Sequence, residues 1–383
     1  MLTVSAKIIK NTINYGNLIT KGSRVSNIVE KPVKDLKINA GIYVINPKIK
    51  KFLRKNTYQD MTNLINLLLK EKCKVEIFPL HESWTDYGLK KNILKHQSWM
   101  NNNTIRIIPK LDIKNGLLIK GINLEGLRVL GNPYEFAEFY YKSGADEICY
   151  IDNVATLYGT NNLKKFVTLT SKNIFVPLSV GGGIKTIQDI ELMLNSGADK
   201  VSINSAAIDD INFIYEAAKK FGSSTIVTNI ETIKINSKYY ISKSNGRDIV
   251  NTDPVSWAKK IQDYGSGEIF VTCVNNEGLQ SGFDINITGK ICKNVNIPVI
   301  AHGGAGKFDH VYKIINETNV SGVSLSSLFH YGICNKFKFK SNKIGNINFL
   351  ENNKNSKIRN NLKELKNYLK KKKIKIREWK TVN

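Results

Sequence analysis

Cysteine is scarce in this 383-residue chain. The five present, Cys73, Cys149, Cys273, Cys292 and Cys334, lie far apart with no Cys-x-x-Cys pair. That spacing suits neither a disulfide framework nor a zinc knuckle. The five histidines show no metal-ligand spacing either, so no metal and no cofactor is expected. No apolar run approaches the roughly 18 residues of a membrane span. The opening "MLTVSAKIIKNTINYG" lacks the charged-then-apolar layout of a secretory signal, and a cytoplasmic protein without a membrane partner is expected. Acidic residues are the other shortage: 32 stand against 57 Lys and Arg, a formal charge of +25. Such an excess suits nucleic acid, an acidic surface or anionic metabolites. Its densest run, "LKKKKIKIREWK", falls at the end of the sequence without aromatic–basic interleaving or a recognition motif. Nucleic acid is therefore not expected as a partner, and phosphorylated small molecules are.

With 42% hydrophobic residues, the chain can bury a substantial core. A composition break at Asn101–Asn103 reads as a linker and divides it into segments 1–100 and 104–383. In the second, eight short β-like runs ("RIIPKLDI", "EICYID", "FVPLSV", "KVSIN", "STIVTNIE", "EIFVTCV", "PVIAHGG", "GVSLSS") alternate with helix-length amphipathic stretches. That arithmetic predicts an α/β fold, a (βα)8 or TIM barrel.

"PLSVGGGIKT" followed by "GADKVSIN" is echoed by "PVIAHGGAGK" followed by "VSGVSLSS", at an offset of about 120 residues. The same offset relates Asp112 to Glu231 and Ser205 to Ser327. Two half-barrels of one design are implied. Glycines at the carboxyl ends of barrel strands bring backbone N–H groups and a helix amino terminus to a ligand. Gly182 and Gly183 with Asn204 and Ser205 thus suggest one phosphate cradle, and Gly303 and Gly304 with Ser326 and Ser327 a second. A substrate phosphorylated at both ends would bridge them. The repeat also sets Asp112 and Glu231 on opposite strands, suited to paired general acid–base work.

"RIIPKLDIKNGLLIKGINLEGLR", "YIDNVAT", "SVGGGIKT", "GADKVSINSAA", "GSGEIFVT", "GLQSGFD" and "HGGAGK" together resemble the cyclase (synthase) subunit of imidazole glycerol phosphate synthase, from Ile105 to about Tyr331. The resemblance implies a glutaminase partner whose ammonia is joined to a bis-phosphorylated ribulosyl-formimino aminoimidazole ribonucleotide. The products would be imidazole glycerol phosphate and an aminoimidazole carboxamide ribotide. It further implies catalytic roles for Asp112 and Glu231, mouth-lining roles for Lys120 and Asp152, and phosphate contacts from Thr272, Gly278 and the serines of "LSS". Arg106, Glu147, Lys200 and Glu268 would form an ammonia gate at the barrel bottom, and Asp199 would face the glutaminase. The sequence departs from the family pattern at Lys110, Glu231, Glu277 and His302. Relatives in surface-sugar pathways supply ammonia to a separate enzyme making acetamidino sugars, which keeps a second substrate class open.

The segment 1–100 resembles the carboxyl half of a sugar-phosphate nucleotidyltransferase through "VSNIVEKP", "NAGIYVINPKI" and "KVEIFPLHESWTDYG". In that family the counterpart of Lys31 contacts phosphate and that of Asp86 helps bind magnesium. The glycine-rich nucleotide loop of that family does not precede these motifs here, so the segment is expected to have no catalysis of its own.

Overall fold

The computed structural model describes residues 2–12, 15, 17–53, 57–80, 104–153, 163–333 and 361–378. The chain divides into two compact units, Met1–Asn101 and Asn102–Asn383. In the first, β1 (Leu2–Thr12) pairs antiparallel with β4 (Val33–Ile45) and parallel with β5 (Val75–Leu80). β2 (Asn17–Lys21) and β3 (Arg24–Val29) form a separate hairpin. Helix α1 (Met61–Lys70) carries Leu64 and Leu68 one turn apart on one face, and both bury against Leu2, Val4 and Ile49. Lys31 lies in an exposed turn with φ 45°, and Asp86 falls outside the described residues.

The second unit is a closed barrel. Its parallel strands are β6 (Arg106–Lys114), β9 (Ile148–Asp152), β10 (Leu178–Gly181), β11 (Lys200–Ile203), β12 (Ile226–Ile235), β15 (Glu268–Cys273), β16 (Val299–His302) and β17 (Gly322–Leu325). Neighbours follow chain order, and the β17–β6 and β11–β12 pairings complete the ring. All eight strands read from the sequence are present. Four antiparallel strands were not read there: β7 (Leu117–Ile122) and β8 (Glu125–Gly131) after β6, and β13 (Lys238–Lys243) and β14 (Asp248–Val250) after β12. Each follows the first strand of a half-barrel, so the twofold pattern extends to the insertions.

Period-two alternation sorts the strand residues into two layers. Ile107, Leu111 and Ile113 of β6 join the outer core against the helices, as do Ile148 and Tyr150 of β9 and Val323 and Leu325 of β17. α2 (Pro133–Lys142) supplies Phe136 and Tyr140 to that layer, and Asn132 caps it by accepting from Tyr134 N–H at 2.9 Å. The opposite faces converge on the axis, where Ile108, Cys149, Val227, Phe270 and Ile300 make a separate apolar ring. Along β6 the inward residues therefore run Arg106, Ile108, Lys110, Asp112, from one end of the barrel to the other.

Candidate active site

At the amino ends of the strands four charges close into a circuit. Arg106 Nη1 donates to Glu147 Oε2 at 2.9 Å, and its other terminal nitrogen pairs with Glu268. Lys200 Nζ lies 2.9 Å from both Glu147 Oε2 and Glu268 Oε2, and Ser179 donates to the remaining oxygen of Glu147. Two cations and two anions cancel, which makes the buried glutamates tolerable. Burial would raise the Glu268 carboxyl, but Arg106 and Lys200 override it and hold it below the ordinary value. Arg106, Glu147, Lys200 and Glu268 are thus brought into one cluster. Asp199, beside it in sequence, is exposed, and its Oδ2 accepts from Leu178 N–H at 2.8 Å.

Above the apolar ring, at the carboxyl ends, Asp112 and Glu231 are buried on β6 and β12, four strands apart either way around the ring. Asp112 is ion-paired with Lys110, two residues back on the same inward face. Glu231 Oε2 accepts from Gly246 N–H at 2.8 Å, and no ion pair to it occurs among the described residues. Burial, opposed by the Gly246 N–H, the Asn204 amide and the Lys110 charge, pushes its carboxyl up to about 7. Two carboxyls of one duplicated design therefore have different partners, an ammonium for Asp112 and a backbone N–H for Glu231.

A raised carboxyl value has a sign for stability. Between about pH 4.5 and 7 the unfolded chain ionises at this position while the folded chain holds its proton, so stability is lost as pH rises through that window. Glu231→Gln removes the effect. The variant is expected to gain about 3 kcal/mol over the parent at pH 8 and nothing at pH 4, read by urea denaturation. A difference that does not change with pH would refute the assignment.

The third group is Lys120, Glu277 and His302. Lys120, on β7, is ion-paired with Glu277, and Glu277 Oε2 lies 3.2 Å from His302 Nε2. Burial alone would raise the Glu277 carboxyl; His302 and then Lys120 reverse this and hold it well below the carboxylate range. The strand register sets Glu231, Thr272, His302 and Ser324 side by side across β12, β15, β16 and β17. Lys120 thus arrives already neutralised, and Thr272 Oγ1 donates to Asn229 Oδ1 at 3.0 Å.

The proposed cradles have packing reasons of their own. A Cβ on Gly182 would fall 2.2 Å from Asp152 O, on Gly278 2.6 Å from Gly121 O, on Gly303 2.8 Å from Cys273 O, and on Gly304 2.0 Å from Gly282 O. Backbone crowding therefore demands glycine there before any ligand does; Gly183 shares the positive φ, at 69°. Asp152 is buried at the end of β9. Ser205 Oγ accepts from Ser244 N–H at 3.4 Å, and Asn204 Oδ1 is buried without a hydrogen-bond partner. Ser326 Oγ donates to Lys110 O at 2.9 Å, so its first role is to hold the strand carrying Lys110 and Asp112. Ser327 opens α10 (Ser327–Ile333).

Sequence reasoning missed His330. Its Nε2–H donates to the same Lys110 carbonyl at 3.0 Å, and Nδ1 accepts from Tyr140 O–H at 2.5 Å. Burial pulls it down to about 3, so the ring is neutral. It also missed Gly246, whose N–H reaches Glu231 from a turn 15 residues downstream. A "SNG" turn signal was visible in the sequence, but its partner was not.

A parallel eight-strand barrel, with ionisable groups gathered at the carboxyl ends of its strands and a charge circuit at the other end, defines an enzyme of the (βα)8 class. Residues 106–335 match the family described as "Histidine biosynthesis protein". The imidazole glycerol phosphate synthase subunit HisF of Legionella pneumophila is 46% identical over 206 residues, 54% of this chain and 97% of that protein. The subunit HisF of Campylobacter concisus is 44% identical over 233 residues, 61% and 92% of the two chains, and that of Bacillus cereus (strain G9842) 43% over 228, 59% and 90%. The chain belongs to the histidine biosynthesis protein family, on its imidazole glycerol phosphate synthase subunit HisF branch. Among the described residues no helix is long and apolar enough to cross a membrane.

Proposed function

We propose that this chain is the cyclase subunit of an imidazole glycerol phosphate synthase, acting in the cytoplasm with a glutaminase subunit. Ammonia released by the partner enters past the charge circuit of Arg106, Glu147, Lys200 and Glu268 and crosses the apolar ring. At the mouth it meets the bis-phosphorylated ribulosyl-formimino aminoimidazole ribonucleotide, held by its two phosphates at the Gly182–Gly183 and Gly303–Gly304 ends. The single observation that carries the reading is the opposed pair of Asp112 and Glu231 on one side of an apolar axial ring, with a neutral charge circuit on the other. The pair divides the proton work. Glu231, raised to about 7, can hand over a proton near neutrality, while Asp112, facing the Lys110 ammonium, can receive one. Asp199, exposed beside the circuit, would face the glutaminase.

The test uses the purified full chain with ammonium salt and that ribonucleotide. Imidazole glycerol phosphate should accumulate, and a histidine auxotroph lacking its own subunit should be rescued when the matching glutaminase is supplied. Absence of both product and rescue would sink the reading.

A second reading is favoured by one specific arrangement. Lys110, Glu231, Glu277 and His302, the four departures from the family pattern, are all buried at the carboxyl ends of the strands: Lys110 pairs with Asp112, Glu277 with Lys120 and His302, and Glu231 accepts from Gly246 N–H. A mouth so altered suits another substrate, with the ammonia passed on for acetamidino-sugar formation. The first unit supports this neighbourhood if Met1–Met100 is a partial nucleotidyltransferase-like segment joined to a barrel over 104–383. Turnover of the histidine-pathway ribonucleotide decides between the two.

A further inference from the structure

Strand β6 changes partner midway along one of its edges. Its parallel ladder with β17 ends at the pair of Pro109 with Leu325, and its antiparallel ladder with β7 begins at the pair of Asp112 with Ile119. On the other edge β9 pairs without a break from Lys110 to Ile113. Among the described residues, Lys110 and Leu111 therefore have no ladder partner on the first edge, and the gap falls directly before Asp112. A buried strand carbonyl needs a donor, and here two side chains supply it. Ser326, one residue past β17, donates from Oγ to Lys110 O at 2.9 Å, and His330 of α10 donates from Nε2 at 3.0 Å.

The second nitrogen of His330 is spoken for as well. A carbonyl oxygen can only accept, so the proton on this ring sits on Nε2. The ring is fully buried and neutral, pulled down to about 3 first by desolvation and then by the Lys120 charge, with Asp112 opposing. Nδ1 is thus a bare acceptor, and the buried Tyr140 hydroxyl donates to it at 2.5 Å. Tyr140 belongs to α2, and Phe136, one turn earlier on that helix, meets the imidazole edge-on with ring centroids 5.8 Å apart. A chain of hydrogen bonds therefore runs from an outer helix through one fixed tautomer to a backbone carbonyl two residues from Asp112.

We infer that His330 is a positioning residue for Asp112, and Tyr140 for His330: the imidazole stands in for the missing ladder partner of β6 and fixes the backbone that aims Asp112 into the mouth. The inference deepens the proposed function and rests on its reading of Asp112 as a proton acceptor. Aspartate has a short side chain, so a shift of the β6 backbone passes almost undamped to its carboxyl. A displacement of about 1 Å at a reacting group can cost about 100-fold in rate. Ser326 holds the same carbonyl, so loss of His330 displaces the strand end without freeing it.

The test follows turnover of the purified full chain with ammonium salt and the bis-phosphorylated ribonucleotide, alongside the thermal midpoint of each variant. His330→Phe fills the place of the ring but cannot donate, and is expected to lower kcat about 10- to 100-fold with KM unchanged. His330→Gln offers an amide N–H to the same carbonyl and is expected to return kcat to within about threefold of the parent. Tyr140→Phe, which removes one hydroxyl, is expected to lower kcat about tenfold, again at constant KM. The ¹⁵N spectrum of histidine-labelled parent should contain one ring protonated on Nε2 alone that does not titrate between about pH 5 and 8 and is missing in His330→Gln. Parental kcat in His330→Phe, losses that follow the thermal midpoint in all three variants, or a ring protonated on Nδ1 overturns the inference. An inactive parent, or full turnover by Asp112→Asn, fells the catalytic reading and the inference with it. A large loss in Asp112→Asn beside none in His330→Phe fells the inference alone.

Discussion

Asp112→Asn is expected to lower turnover about 10³-fold while substrate affinity changes little, the pattern of a group used in the proton transfers and not in ground-state binding. Asparagine keeps the shape and one acceptor oxygen but cannot take a proton. The substitution also leaves the Lys110 ammonium buried without its anion, and removing one partner of a buried pair is costly in its own right. Activity loss and instability must therefore be separated. The double variant Lys110→Met/Asp112→Asn removes both charges and is expected to recover the parent's thermal midpoint without recovering turnover. Turnover of the single variant within tenfold of the parent would take Asp112 out of the chemistry and leave it as a counter-ion to Lys110.

Much of this was legible in the sequence because strand spacing and the 120-residue echo are local and repetitive signals. The eight strands, and the pairing of Asp112 with Glu231 across the ring, follow from counting. The four hairpin strands after β6 and β12 did not, because Leu117–Gly131 and Lys238–Val250 continue the polarity of their neighbours without a helical gap to mark them. Interactions between distant residues were illegible as well. Glu277 was visible as a departure, yet that it neutralises Lys120 depends on residues 157 positions apart meeting in space. The glycines taught the opposite lesson. Their positions were read correctly as strand ends, but the backbone carbonyls crowding Gly182 and Gly304 supply a packing demand that sequence alone assigned to a ligand.

Asp146→Ala should cost about 3–5 kcal/mol of global stability, the largest effect expected from a residue away from the mouth. Asp146 is buried two residues before the start of β9. Its Oδ1 accepts from Lys366 Nζ at 2.6 Å and Arg377 Nε at 2.8 Å, and Oδ2 accepts from Ile107 N–H at 2.8 Å. Lys366 belongs to α11 (Leu362–Lys371), and Arg377 follows it; Ile105 N–H donates to Lys375 O at 2.9 Å on the same edge. One carboxylate thus ties the last described segment to the first barrel strand, and alanine would leave two cations and a strand N–H without it. Burial already depresses Lys366, with Asp146 opposing the shift, so loss of Asp146 is expected to make that amine titrate lower still. The clasp also bears on the charge circuit. Asp146 and Glu147 are consecutive, one turned out to the clasp and the other inward to Arg106 and Lys200. Loosening the first should blur the placement of the second. The variant is expected to show faster hydrogen exchange in α11 and β6 together, and a greater loss of glutamine-dependent than of ammonium-dependent turnover. Stability within about 1 kcal/mol of the parent, or exchange confined to α11, would show that the terminal helix is held by Leu362, Leu365 and Leu369 packing alone.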